Sequence, residues 1–259
     1  MECREAARSR ATSQHSDASR HPVLGPGSPS TAFQASGNGR SRDPKRPSRS
    51  ASRETPVAHH VLDMPANEAE IRALRIGDTV TLRRWLFGIR DATLIHMFDR
   101  DRRTRLDLAG HAVIHTAPNV HRVAPSPEAP VGYAPFCIGT TTSMRMERFT
   151  EALMEREGVR LIVGKGGMGP ATLKAFAERG GAYLAIVGGA AALETTWIER
   201  IEDVDMDDLH PESLWRFAIR DFGPLLVGMD SHGGSLFAEV QRDVAARRDA
   251  VMASLEDAR

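Results

Sequence analysis

The chain has 259 residues, with 34 Lys or Arg against 34 Asp or Glu, a formal net charge of zero and 41% apolar residues, which suits one or two domains. No apolar run approaches the roughly 20 residues that a membrane span needs, and two cysteines, Cys3 and Cys137, provide neither a disulfide framework nor an all-cysteine metal site. The charge balance is uneven: residues 1–57 hold ten Lys or Arg against five acids, so the remainder carries about −5, which argues against a nucleic-acid-binding body.

Residues 1–57 also hold eleven serines, clustered Pro and Gly and almost no apolar periodicity. Such a segment buries too little surface to offset its ordering entropy. It is expected to be a disordered basic tail, with one domain over 58–259. Its start has no continuous hydrophobic signal core, and Glu2, Glu5 and Asp17 count against a transit peptide. The protein is expected to be soluble and cytoplasmic.

In chain order, His59–Met64 reads as a short strand, and Asn67 as the cap of a brief helix, EAEIRAL. Alternation from Val80 to Trp85 marks a strand that delivers Gly88 and Arg90 to its end. The following segment places Leu94, Ile95 and Phe98 on one side of a helix, with Asp91 near its start. GHAVIHTAPNV reads as a strand running into a turn. GYAPFCIGTTTSMRMERFTEALMEREG reads as a strand, a polar turn and a helix with Met146, Phe149 and Leu153 on a core face. Cys137 is expected to be a small buried hydrophobe.

VRLIVGKGGMGPATLKAF, Val159–Phe176, is strand, glycine turn and helix. AYLAIVGGAAAL is read as a strand, ETTWIERIEDV as a helix, and PESLWRFAIRDFGPLLVGMD as two strands separated by Gly223-Pro224. A charged amphipathic helix follows from Val240 to the end. The alternation predicts an α/β domain of layered sheet and helices.

Gly164, Gly166 and Gly169 fit G-x-G-x-x-G, a backbone cradle for an anion at a helix N-terminus. A dinucleotide fingerprint also wants an acid about 20 positions on, at the end of the next strand; here that strand runs into Val187-Gly188-Gly189. Nor is the loop a Walker A sequence, because its lysine follows the first glycine. More informative is a recurring theme: three strand-to-helix turns each present a cation, Arg90, Arg145 and Lys165. Meeting at one edge, they would form a small, strongly positive concavity suited to a compact di-acid, since arginine grips a carboxylate bidentately and lysine adds a point charge.

GTTTSMRMERF, VRLIVGKGGMGPATL and PESLWRFAIRDFGPLLVGMDSHGGSLFAE resemble, in order and spacing, the β subunit of L(+)-tartrate dehydratase and the C-terminal domain of class I iron-sulphur fumarases. The resemblance covers roughly Gly77 to Glu239. It implies a swivelling β/β/α-type domain that forms half the active site of a hydro-lyase acting on a small hydroxy dicarboxylate. A separate α subunit would carry a [4Fe-4S] cluster, and this chain would be inactive alone. Carried over by position, Arg90, Thr142, Arg145 and Lys165 would bind substrate. Thr141 matches a threonine associated with proton transfer beside a carboxylate, a role that needs electrostatic help because a threonine hydroxyl is a poor base.

Two positions depart from the family pattern. Arg-Asp-x-x-His becomes Arg90-Asp91 followed by Leu94 at the histidine position, and Gly-Pro-Thr-Thr becomes Gly139-Thr140-Thr141-Thr142, with threonine for proline. His111, His115 and His121 lack metal-site spacing; Asp230-Ser231-His232 reads as a turn rather than a triad; Trp197 and Trp215 read as packing residues. Two other functions stay open on the sequence: an NAD-linked oxidoreductase using the glycine loop, and a non-catalytic anion-binding or partner-docking domain. NAD binding by the isolated chain would favour the first, and lack of an α partner the second.

Overall fold

The computed structural model describes residues 57–186 and 191–256; residues 1–56 of the expected tail lie outside them, as do 187–190 and 257–259. Strand β1 (His59–Asp63) leads to α1 (Glu68–Ala73) and β2 (Thr79–Ile89). Asn67 starts α1 by accepting the Glu70 N–H at 3.0 Å, while the Glu70 carboxylate accepts the Asn67 N–H at 2.8 Å. Two otherwise orphan donors are thereby satisfied. A single turn, α2 (Asp91–Leu94), runs into a π-helical turn at Ile95–Asp99, then β3 (Ala112–His115).

Next come a two-stranded hairpin, β4 (Asn119–Arg122) and β5 (Tyr133–Cys137), a 3-10 helix at Ser143–Phe149, and α3 (Thr150–Arg156). Strand β6 (Leu161–Gly164), α4 (Pro170–Arg179), β7 (Ala182–Ala185), α5 (Ala191–Thr196) and β8 (Ile198–Asp205) follow. A 16-residue strand, β9 (Leu214–Met229), precedes α6 (Leu236–Glu256).

Strands β2, β3, β6 and β7 are parallel neighbours. Strand β9 is antiparallel to both β7 and β2, so the sheet returns on itself, with β1 beside β2 and β8 beside β9. The short inner strands are apolar on both faces, as buried parallel strands are. Ala112 and Ile114, Leu161 and Val163, and Ala182 and Leu184 pack in the core with Trp215 and Phe217. The alternate residues Val113, Ile162 and Tyr183 pack on the opposite face with Met146, Phe149, Leu153 and Phe176. A mixed α/β domain with layered sheet and helices results, as expected. Burial of each such large side chain contributes about 1.5–3 kcal/mol.

Three local expectations are corrected. ETTWIERIEDV is mostly strand, because bulges between Ile198 and Arg200 and between Ile201 and Asp203 upset simple alternation. Ile198 and Ile201, three residues apart, therefore both enter the core, a spacing that imitates a helix. Residues 191–193, expected to be strand, are helical. Gly223-Pro224 does not separate two strands: Phe222 and Leu225 still pair with Leu82 and Val80, and the two residues between sit in a bulge where a missing N–H is tolerated.

Cys137 is also only half-buried: it ends β5 of the separate two-stranded hairpin, whose Tyr133 packs into the core while Phe136 beside Cys137 is 62% exposed. Other readings hold. Trp215 is fully buried, and Trp197 packs edge-on to Phe222. Asp230 makes a turn, accepting the N–H groups of His232 and Gly234 at 2.9 Å each. Helix α6 begins four residues before Val240. No helix among the described residues is long and apolar enough to cross a membrane.

Candidate active site

The pairing register brings the carboxyl ends of β2, β3 and β6 together: Ile89 lies opposite His115, and Ile114 opposite Val163. Arg90, Thr116 and Lys165 therefore leave the sheet at one edge, where open parallel sheets place ligands. The Gly139–Ser143 segment is laid along that edge. Thr116 Oγ1 donates to Gly139 O and Thr141 N to His115 O, each at 2.8 Å, and Ser143 N donates to Lys165 O at 3.1 Å. Thr142 is bridged to Lys165. Close approach requires glycine at position 164, since a Cβ there would run into the Ser143 hydroxyl.

All five residues singled out in the sequence belong to this edge. Arg145, in the first turn of the 3-10 helix, reaches Asp91 with Nη2–Oδ2 2.7 Å and Nε–Oδ1 3.4 Å, and its Nη2 lies 3.5 Å from Thr141 Oγ1. Arg90 Nε lies 3.4 Å from the same Asp91 Oδ2 and 3.4 Å from Glu212 Oε1. It is buried and makes no hydrogen bond among the described residues. Thr141 and Lys165 are half-buried; Thr142 and Arg145 are exposed. The expected strongly positive concavity is thus modified, because Asp91, Glu212 and Glu194 stand among the three cations.

Those carboxylates were not legible as site residues. Glu212 Oε2 accepts the Ala92 N–H at 2.7 Å, and Thr93 Oγ1 donates to the Glu212 carbonyl, so Glu212 caps α2 beside Arg90. Burial pushes the Asp91 carboxyl up, but the Arg145 hydrogen bond and charge, with Arg90, outweigh it and hold Asp91 below the usual carboxylate range. For Glu194, burial wins and raises the carboxyl despite hydrogen bonds from Thr140 and the charge of Lys165. His115 is 1% exposed, and its Nδ1 has no hydrogen-bond partner among the described residues. Burial pushes its imidazole down to about 4, with Asp91 opposing and Arg145 adding to the shift, so it is neutral near pH 7.

The glycine loop is not arranged for a pyrophosphate. Glu147 already occupies the N-terminal end of α4: its Oε1 accepts the Thr172 N–H at 3.2 Å, and a Cβ on Gly169 would strike its carboxylate. A helix end that already holds a carboxylate repels a second anion.

Fold and site together define a layered α/β domain that gathers arginine, lysine and threonine at the carboxyl edge of its parallel strands. Residues 36–240 match the family model described as Fumarase C-terminus, and the chain belongs to that family. It is 36% identical over 193 residues to the L(+)-tartrate dehydratase subunit beta of Escherichia coli (strain K12), covering 74% of this chain and 93% of that protein. It is 35% identical over 180 residues to a putative L(+)-tartrate dehydratase subunit beta of Methanocaldococcus jannaschii, covering 68% and 89%. To a putative fumarate hydratase class I of Geobacillus stearothermophilus it is 36% identical over 182 residues, 70% of this chain but 34% of that longer protein.

Proposed function

We propose that this chain is the β subunit of a hydro-lyase that removes water from a small hydroxy dicarboxylate, with L(+)-tartrate the first substrate and malate or fumarate the second. The observation that carries the reading is that two guanidinium groups, those of Arg90 and Arg145, already bracket one carboxylate oxygen of Asp91. That spacing suits a substrate carboxylate, with Lys165 adding a point charge. Thr142 lies next to Lys165 on the same edge and supplies a hydroxyl to the substrate.

Thr141 is the proton-transfer residue in this reading. A guanidinium 3.5 Å from its Oγ1 favours the ionised hydroxyl, which is the electrostatic help a threonine needs. The relatives' names support a two-part enzyme: two are called β subunits, and the chain corresponds to a third of the longer fumarate hydratase. The domain at 58–259 would close over a site completed by an α subunit.

Among the described residues Cys137 is the one cysteine, and no three His, Cys, Asp or Glu side chains stand together as metal ligands. These residues do not fit a [4Fe-4S] cluster, so the α subunit supplies its thiolates in this reading.

The test is anaerobic co-expression with a cluster-bearing α candidate and comparison of tartrate and malate dehydration. Turnover of either by the complex, and of neither by the β chain alone, is expected. A stable complex that turns over neither overturns the substrate assignment.

A further inference from the structure

Glu194 on α5 is 1% exposed, yet both its carboxyl oxygens are taken up by one residue. The Thr140 N–H donates to Oε2 at 3.1 Å and the Thr140 hydroxyl to Oε1 at 3.2 Å. One residue on, Thr195 Oγ1 accepts the Ile138 N–H at 2.8 Å. Helix α5 thus grips the turn from one side, while β3 holds it from the other through Thr116 and the His115 carbonyl. Burying a carboxyl is costly unless its partners are well placed, and here those partners belong to the residue immediately before Thr141.

We propose that Glu194 is a positioning residue for the active site: by holding Thr140 through both carboxyl oxygens, it fixes the backbone that sets the Thr141 hydroxyl beside Arg145 and Thr142 beside Lys165. The proposal rests on the site reading given above. It also accounts for a departure in the sequence. A proline at position 140, as in Gly-Pro-Thr-Thr, would fix φ by its ring and carry no N–H. Threonine frees φ and offers two donors, and Glu194 accepts both.

Displacing reacting groups by about 1 Å costs about 100-fold in rate, so the effect belongs in kcat more than in KM. In the reconstituted αβ enzyme, Glu194→Ala is expected to lower kcat by about tenfold or more, whereas Glu194→Gln, which keeps an acceptor for the Thr140 N–H, retains most of it. Adding Thr140→Pro to Glu194→Ala is expected to restore kcat, because the ring replaces the lost restraint. Wild-type kcat in Glu194→Ala, or a loss of thermal stability with unchanged kcat, would overturn the proposal.

A readout independent of turnover separates this proposal from the functional reading. In the full β chain, the Thr140 amide should exchange with deuterium slowly in wild type and in Glu194→Gln, and about tenfold faster in Glu194→Ala. Equal exchange in all three overturns the proposal. Faster exchange in Glu194→Ala than in wild type, for a β chain whose αβ complex dehydrates no dicarboxylate, would sink the functional reading while leaving the hold of Glu194 on Thr140 in place.

Discussion

Arg145 meets Asp91 across 54 residues of sequence in a two-point contact, with Nη2–Oδ2 at 2.7 Å and Nε–Oδ1 at 3.4 Å. The pair joins the turn after β2 to the 3-10 helix before α3. Arg90 shares the same carboxylate oxygen, so one aspartate sets the separation of two guanidinium groups. Orientation is the product of the contact more than stability, because the side chains are 48% and 31% exposed and such pairs contribute at most about 1 kcal/mol.

Arg145→Lys should therefore separate geometry from charge. Lysine keeps the charge but loses the planar fork that meets Asp91 at two points and, in the proposed function, a substrate carboxylate. In the αβ enzyme, kcat/KM is expected to fall by about 100-fold, with thermal stability nearly unchanged. Activity close to wild type would show that a point charge suffices.

Lys165→Ala tests the cation at the end of β6. Its backbone carbonyl, not its side chain, holds Ser143 N, so truncation leaves the turn in place. Assembly with the α subunit should persist while activity drops by about two orders of magnitude. If the variant loses its fold instead, Lys165 is a structural residue.

Gly164→Ala addresses how closely the turn approaches the sheet. The added methyl would strike the Ser143 hydroxyl and lie near Tyr183, whose phenol donates to Ser143 Oγ at 3.1 Å. Overpacking at so enclosed a position is expected to cost about 1–3 kcal/mol. Combining it with Ser143→Gly removes the clashing atoms and should recover part of the loss, read as thermal midpoints of the three variants.

The residues of the candidate site were legible as a group because its cations and hydroxyls fall at strand ends and keep local spacing, as Thr141, Thr142 and Arg145 do. The sequence hid the carboxylates that organise them. Glu212 reaches Ala92 across 120 residues and Glu194 reaches Thr140 across 54, and neither contact leaves a local pattern. For the fold, the parallel strands were legible from apolar runs, whereas β8 was misread because its bulges give Ile198 and Ile201 the spacing of a helix. The length of β9 was misread because a bulge absorbs Gly223-Pro224 instead of ending the strand.

His115 makes the domain's stability pH-dependent with a definite sign. Its folded-state pKa is lowered from 6.5 to about 4 by burial, so the unfolded chain binds a proton at this position before the native chain does. The stabilisation of a neutral buried His115 is complete above the unfolded value and is lost as pH falls from about 6.5 through about 4, for a total of about 3 kcal/mol. Glu194 acts in the opposite direction: its raised carboxyl pKa costs the native state stability as pH rises through the carboxylate range, so acidification relieves that cost. The two are separated by denaturant titrations between pH 4 and pH 7 on wild type and His115→Gln, both in a Glu194→Gln background. The His115→Gln chain should be less stable near pH 7, because a packed ring is lost, but its stability should fall less steeply with acid, so the difference narrows toward pH 4. Parallel pH profiles for the two chains would show that His115 takes up its proton in the folded state as easily as in the unfolded one.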